Sequence, residues 1–188
     1  MTAVVLIVLV VIAVYLVSVF NSLVRVRNEV DNSWRQIDVQ LKRRHDLIPN
    51  LIEAVKGYMQ FERDTLTQVV EARGRAIAAP DPASRLAAEN QLTAGLGRLL
   101  AVMENYPQLK SDQNVMQLQE QLTTTENQIA FSRQAYNDAV LSLNNRIQIF
   151  PSNIIANNFG FKPAEYFKVA PEDQELPKVN LSLGAPRA

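Results

Sequence analysis

The sequence predicts an all-α protein: an N-terminal transmembrane helix followed by an antiparallel up-and-down four-helix bundle. Three observations carry this reading. An uncharged run from Thr2 to Phe20 opens the chain. Beyond it, apolar residues recur at gaps of three and four, which is the period of a helix face and not of a strand. The breaks between these runs are short, and short connections favour antiparallel neighbours. Residues 1–20 then form the anchor and residues 21–150 the bundle. Residues 151–188 form a tail, ordered near the bundle end and flexible after Pro171.

The anchor rests on Val4, Leu6, Ile7, Leu9, Val11, Ile12, Leu16 and Phe20. At 1.5 Å per residue such a run just crosses a hydrocarbon core of about 30 Å. A cleaved signal peptide would need a basic start and a small-x-small cleavage site. Met1-Thr2 and the exit Ser18-Val19-Phe20-Asn21 offer neither. No Lys or Arg precedes the run, whereas Arg25, Arg27, Arg35 and Lys42-Arg43-Arg44 follow it. The positive-inside rule therefore places the N-terminus outside and the helical domain in the cytoplasm.

Nothing separates the anchor from a first bundle helix over Asn21–Leu41, so the domain stands on a stiff stalk. Lys42-Arg43-Arg44-His45-Asp46 then reads as a polar turn near Arg44–Asp46. Asp46 can cap a second helix whose first turn holds Pro49, where a missing N–H is tolerated. The alternative is a single long helix kinked at Pro49, because the stripe nearly keeps phase across the break. The second helix runs to Ala79 through Phe61, Leu66, Val69, Val70 and Ile77 and stops at Pro80-Asp81-Pro82. A third starts near Asp81–Ser84 and runs through Leu92, Leu96, Leu99 and Met103 to Tyr106-Pro107. Gly95 and Gly97 mark close packing or a soft spot in it. The fourth begins at Ser111-Asp112 and keeps its period to Phe150-Pro151, as a bundle seam or coiled coil would. With helices alternating in direction, the tail returns towards the bilayer. There Ile154-Ile155, Phe159, Phe161, Tyr166 and Phe167, with Lys162 and Lys168, suit either an interface belt or packing onto the bundle end.

Composition narrows the function. The chain has 188 residues, 47% of them hydrophobic, with 19 Lys+Arg balancing 19 Asp+Glu. A nucleic-acid binder would carry a basic excess. The cysteine count of 0 removes disulfides, thiolate catalysis and lipid attachment through Cys, and only 6 Gly leave little room for phosphate loops. The lone His45 lacks the converging ligands a metal needs and reads as a solvated turn histidine. Lys42, Arg43 and Arg44 can contact an acidic partner, or simply favour a helix C-terminus. Trp34 reads as core, unless it is exposed as an interface anchor. Glu126, Arg133, Tyr136, Asn137 and Asn144 line one side of the fourth helix, with Arg43, Arg44, Asp46 and Asn50 as candidate partners. Such a network fixes register among helices. A paired-carboxylate hydrolase would need a second acid, and none is forced close to Glu126.

Several stretches resemble the LemA family. They are Leu23-Val24, Trp34, Gln40-Leu41-Lys42-Arg43-Arg44-His45-Asp46-Leu47-Ile48-Pro49-Asn50-Leu51 and Val55-Lys56-Gly57-Tyr58. The later ones are Thr125-Glu126-Asn127-Gln128-Ile129-Ala130, Arg133-Gln134-Ala135-Tyr136-Asn137-Asp138-Ala139-Val140, Asn144 and Phe150-Pro151. His45 departs from the Tyr common in the family. The resemblance implies a bacterial membrane-anchored four-helix bundle without known enzymatic activity, and a role in membrane organisation or assembly. Some relatives resemble lipoproteins with the domain outside the cytoplasm, which keeps the opposite orientation open. The expected function is a non-enzymatic adaptor or scaffold that binds envelope proteins or copies of itself. It involves no cofactor, metal, catalytic residue, nucleic acid or identified small-molecule substrate. The alternatives are a membrane-remodelling oligomer and an envelope enzyme using the polar stripe.

Overall fold

A heptad-like stripe runs from Leu23 through Val26, Val30, Ser33, Ile37, Leu41, Arg44, Ile48 and Leu51 to Val55, and all ten residues are buried. Gaps of three and four sustained over that distance specify one straight face. In a computed structural model they lie on a single helix, α1 (Thr2–Val55), of 54 residues. The described residues are 1–167, apart from the side chains of residues 82 and 83. The expected flexible segment after Pro171, and Lys168, fall outside them. Among the described residues there are no strands. The other helices are α2 (Arg63–Ala78), α3 (Pro82–Met103), α4 (Pro107–Ser111), α5 (Gln113–Gln148) and α6 (Ser152–Asn158).

The expected turn at Arg44–Asp46 is therefore corrected: the single-helix alternative holds. Pro49 lies inside α1. Proline removes the hydrogen bond to the carbonyl four residues earlier and normally breaks a helix there. That carbonyl belongs to His45, and Arg73 of α2 donates its Nε–H to it at 2.7 Å. The orphaned acceptor is satisfied from outside the helix, and Pro49 itself faces solvent. The break falls instead at Lys56–Glu62. There Tyr58 and Met59 both donate to Val55 O, and Met59 is buried beneath the turn. The expected second helix from Asp46 to Ala79 is thus the end of α1 plus α2, and Phe61 is 95% exposed in the loop between them.

α5 starts where Asp112 caps it, its carboxylate accepting from the backbone N–H of Asn114 and Val115. α5 descends alongside α1. Arg44 meets Glu126 high on the pair, Trp34 meets Tyr136 midway, and Arg146 meets Ser22 at the bottom. α2 and α3 form a hairpin about Pro80-Asp81, with Gly95 close against Val69. A Cβ at Gly95 would make ordinary contact, and one at Gly97 would meet nothing. This second pair covers the top of the first. One core takes Ile48, Leu51 and Val55 from α1, Val69 and Ala72 from α2, Leu92 and Leu99 from α3, and Val115 and Leu122 from α5. On α2, Val70 and Ile77 point outward while the small Ala72 and Ala76 are buried.

Below this core α1 and α5 continue as a pair, and the chain after α5 closes on it. Ile155, Ala156 and Phe161 pack on Leu23, Val26, Leu143 and Ile147. α6 ends with Gly160 at φ +71°. Phe161 N–H bonds Ala156 O and Gly160 N–H bonds Asn157 O, a Schellman ending that turns Phe161 inward. Among the described residues no element covers the segment from Val4 to Val17, and its side chains are exposed.

Candidate functional site: a buried charge cluster and an asparagine clip

Arg44 and Glu89 occupy apolar-stripe positions, between Leu41 and Ile48 on α1 and three residues before Leu92 on α3. Both are 1% exposed. The guanidinium of Arg44 donates to both Glu89 and Glu126, and to Thr93 Oγ1 at 2.9 Å. The other Glu89 oxygen meets His45 Nε2 at 2.8 Å. Three helices, α1, α3 and α5, are thereby tied at one level. Burial pushes the Glu89 carboxyl up, but the His45 hydrogen bond and the Arg44 charge outweigh it and hold the carboxyl below its usual range. Burial, then the charge of Arg44, lowers the Arg133 guanidinium from its usual value. Arg133 Nε and one terminal nitrogen are buried without a hydrogen-bond partner among the described residues. Its guanidinium lies 4.8 Å from the centre of the Phe167 ring, a cation–π contact.

This geometry revises several expectations. His45 is not a solvated turn residue: it lies within α1, its side chain 12% exposed, on Glu89. Glu126 does have a second acid nearby, since Glu89 shares Arg44 with it. Arg44 cannot contact a partner because it is buried, whereas Lys42 and Arg43 are exposed and can. These residues also sit below the top of the body, not at it, because α1 continues to Val55. Arg43 and Asn50 are exposed to solvent, and Asp46, also exposed, lines the cleft beside His45 and Glu89. The residues missed were Glu89, Thr93 and Arg73. The signal for Glu89 was a carboxylate in phase with Leu92, Leu96 and Leu99. A cleft of about 370 Å³ opens beside His45 and Glu89, walled by Arg73 and by the Arg85–Asp38 ion pair. Among the described residues no three acidic or histidine side chains converge as a metal site needs.

Tyr136 and Asn137, expected in the same network, do something else. Asn137 accepts from Phe167 N–H at 2.8 Å and donates to Phe167 O at 3.2 Å. Asn144 does the same for Ala164, at 2.9 and 3.0 Å. Seven residues of helix advance about 10 Å, as do three residues of extended chain. The two amides thus match residues 164 and 167 and hold that segment as a clip. Tyr136 adds a bond to Glu165 O at 3.0 Å. The rings of Trp34, Tyr136 and Phe167 meet edge-on or tilted around the clip, with Trp34 half-buried as part of the packing.

The sequence matches the LemA family over residues 33–181. The chain belongs to the LemA family. Among curated proteins, this LemA-family chain is 26% identical over 163 residues to Protein LemA of Metamycoplasma hominis, covering 83% of the chain and 74% of that protein. It is 26% identical over 178 residues to Magnetosome protein MamQ 2 of Paramagnetospirillum magneticum, and 22% identical to Magnetosome protein MamQ of Magnetospirillum gryphiswaldense. Each of these matches covers 81% of the chain and 65% of the magnetosome protein. The charge cluster and the clip lie within the matched region. The N-terminal run, long and apolar enough to cross a membrane, fits a membrane anchor.

Proposed function

We propose that this LemA-family chain is a single-pass, membrane-anchored, non-enzymatic adaptor or scaffold of the bacterial envelope. Its body is an antiparallel up-and-down four-helix bundle of the upper part of α1 with α2, α3 and α5, which binds protein partners or other copies. One observation carries this reading: the two most deeply buried ionisable groups of the body, Glu89 and Arg44, are paired with each other. Glu89 has both oxygens occupied by Arg44 and His45, and Arg44 divides its donors among Glu89, Glu126 and Thr93. A catalytic acid or nucleophile needs a face open to substrate. The exposed Lys42 and Arg43 remain as candidates for contact with an acidic partner. By the positive-inside rule the body lies in the cytoplasm, beneath the inner membrane. Protease treatment of sealed right-side-out vesicles should leave it intact, and digestion there would reverse the orientation.

The test of the scaffold role is crosslinking in cells followed by mass spectrometry, paired with a Glu126→Gln/Arg133→Met variant. A lowered melting temperature supports the structural role of the cluster. Lost activity with unchanged melting and unchanged partners would instead favour an envelope enzyme using the α5 stripe. A second reading, a membrane-organising oligomer, is favoured by the relatives named as magnetosome proteins. It also draws on a groove of about 400 Å³ along α1 and α5, beside the exposed Val39. Only monomer in detergent-solubilised mass measurements would sink it.

A further inference from the structure

Four large apolar side chains stand out in solvent at one end of the body. Phe150 is 74% exposed, Phe159 66%, Ile149 60% and Ile154 52%. Their level is set by two contacts. Arg146 bonds Ser22, and α5 descends from there towards Phe150. The Phe159 ring lies 4.9 Å from the ring of Phe20, the last residue of the apolar run. These contacts put the four beside α1, at the level of its exit from that run. The run from Thr2 to Phe20 rises about 28 Å at helical pitch, so its end coincides with the edge of a hydrocarbon core of about 30 Å.

Charge is sorted in the same place. Residues 1–28 and 139–164 contain no acidic side chain. They carry Arg25, Arg27, Arg146 and Lys162, all exposed and all just above the apolar collar. Aromatic and aliphatic groups at the boundary, with basic groups on the aqueous side, match the layering of a bilayer with anionic headgroups.

We propose that this collar is a second membrane contact: Ile149, Phe150, Ile154 and Phe159 enter the interfacial layer, seating the base of the body on anionic lipid. It rests on the anchor reading and adds to it a fixed depth and facing for the body. The bilayer is the occupant because the collar is continuous with the lipid-spanning face through Phe20 and Phe159.

The chain has 0 cysteines, so single sites can be labelled without background. Full-length F150C, I154C and V39C proteins would be labelled with an environment-sensitive nitrobenzoxadiazole dye. They would then be reconstituted in vesicles of phosphatidylcholine with phosphatidylglycerol. The expected result is blue-shifted emission at positions 150 and 154, mostly lost when the lipids carry a shallow spin-label quencher, and unquenched aqueous emission at 39. Should F150C fail to fold, I154C carries the same test. Aqueous, unquenched emission at 150 and 154 in protein that stays with carbonate-washed vesicles would overturn the proposal while leaving the anchor intact. Crosslinking between F150C copies without quenching would assign the patch to a second copy and overturn it as well. Release of the protein by the carbonate wash would overturn the anchor reading and the collar together.

Discussion

Glu89 shows how one side chain can be both a liability and a fastener. It is 1% exposed, so its charge survives only because Arg44 and His45 face it. Removing Glu89 leaves the buried Arg44 guanidinium with only the partly exposed Glu126 as counter-charge. Glu89→Ala should therefore lower unfolding stability by about 3–5 kcal/mol, measured by urea titration. The depressed carboxyl also sets a direction for pH. A carboxyl whose folded pKa lies below the ordinary 4.5 contributes fully above that value. The contribution is lost as pH falls through the folded value. The melting temperature should thus fall more steeply below about pH 4.5 in the natural chain than in Glu89→Gln. Parallel curves for the two proteins would count against the cluster as a source of acid lability. At Gly160 the backbone sits at φ +71°, a region that costs a side chain roughly 1–2 kcal/mol. Gly160→Ala should destabilise by about that amount, and circular dichroism melts can read it.

At the scale of elements, α1 survives its proline because another helix repairs it. Arg73→Ala removes the donor that caps His45 O, and a charged donor to a buried carbonyl is worth about 1.5–3 kcal/mol. Pro49→Ala restores an N–H that can take the same acceptor. The cost of Arg73→Ala should therefore shrink in the Pro49→Ala background, a coupling that a double-mutant cycle measures directly. On α3, Gly97 has open space where a Cβ would stand, so Gly97→Ala should stabilise by up to about 1 kcal/mol. These cases also explain what was legible beforehand. The helical period, the stop at Pro80-Asp81-Pro82 and the cap at Asp112 are local signals, and the helices begin and end there. The turn read at Arg44–Asp46 from Pro49 was also a local inference, but the bond that lets α1 run through Pro49 comes from 28 residues beyond His45, on α2, so no window of sequence reveals it. The short α4 and α6 carry too few residues for a period. Gly160 followed by Phe161 is the local signal that could have marked the end of α6. In the site, Arg44–Glu126 was readable from polar residues on apolar faces, and Glu89 was readable by the same rule. Asn137 and Asn144 were visible only as members of the polar stripe, because their ligand is an extended segment with no pattern of its own.

For the whole molecule, the division of labour falls near Phe20. Every residue of the hydrophobic core lies at or beyond Leu23. A chain lacking residues 1–17 should therefore keep the helices of its body and melt within a few degrees of the full chain, while no longer sedimenting with membranes. A large loss of melting temperature would mean that the apolar run supports the body as well as holding it. α1 joins the two halves without a hinge: from Phe20 to its far end it reaches about 50 Å at helical pitch. A rod of that length is a lever. When a bilayer thins, a spanning helix leans to keep its greasy length covered. A lean of about 10° would swing the far tip sideways by roughly 9 Å. Whatever docks on that tip would sense the thickness of the lipid sheet through a displacement larger than most side chains are long.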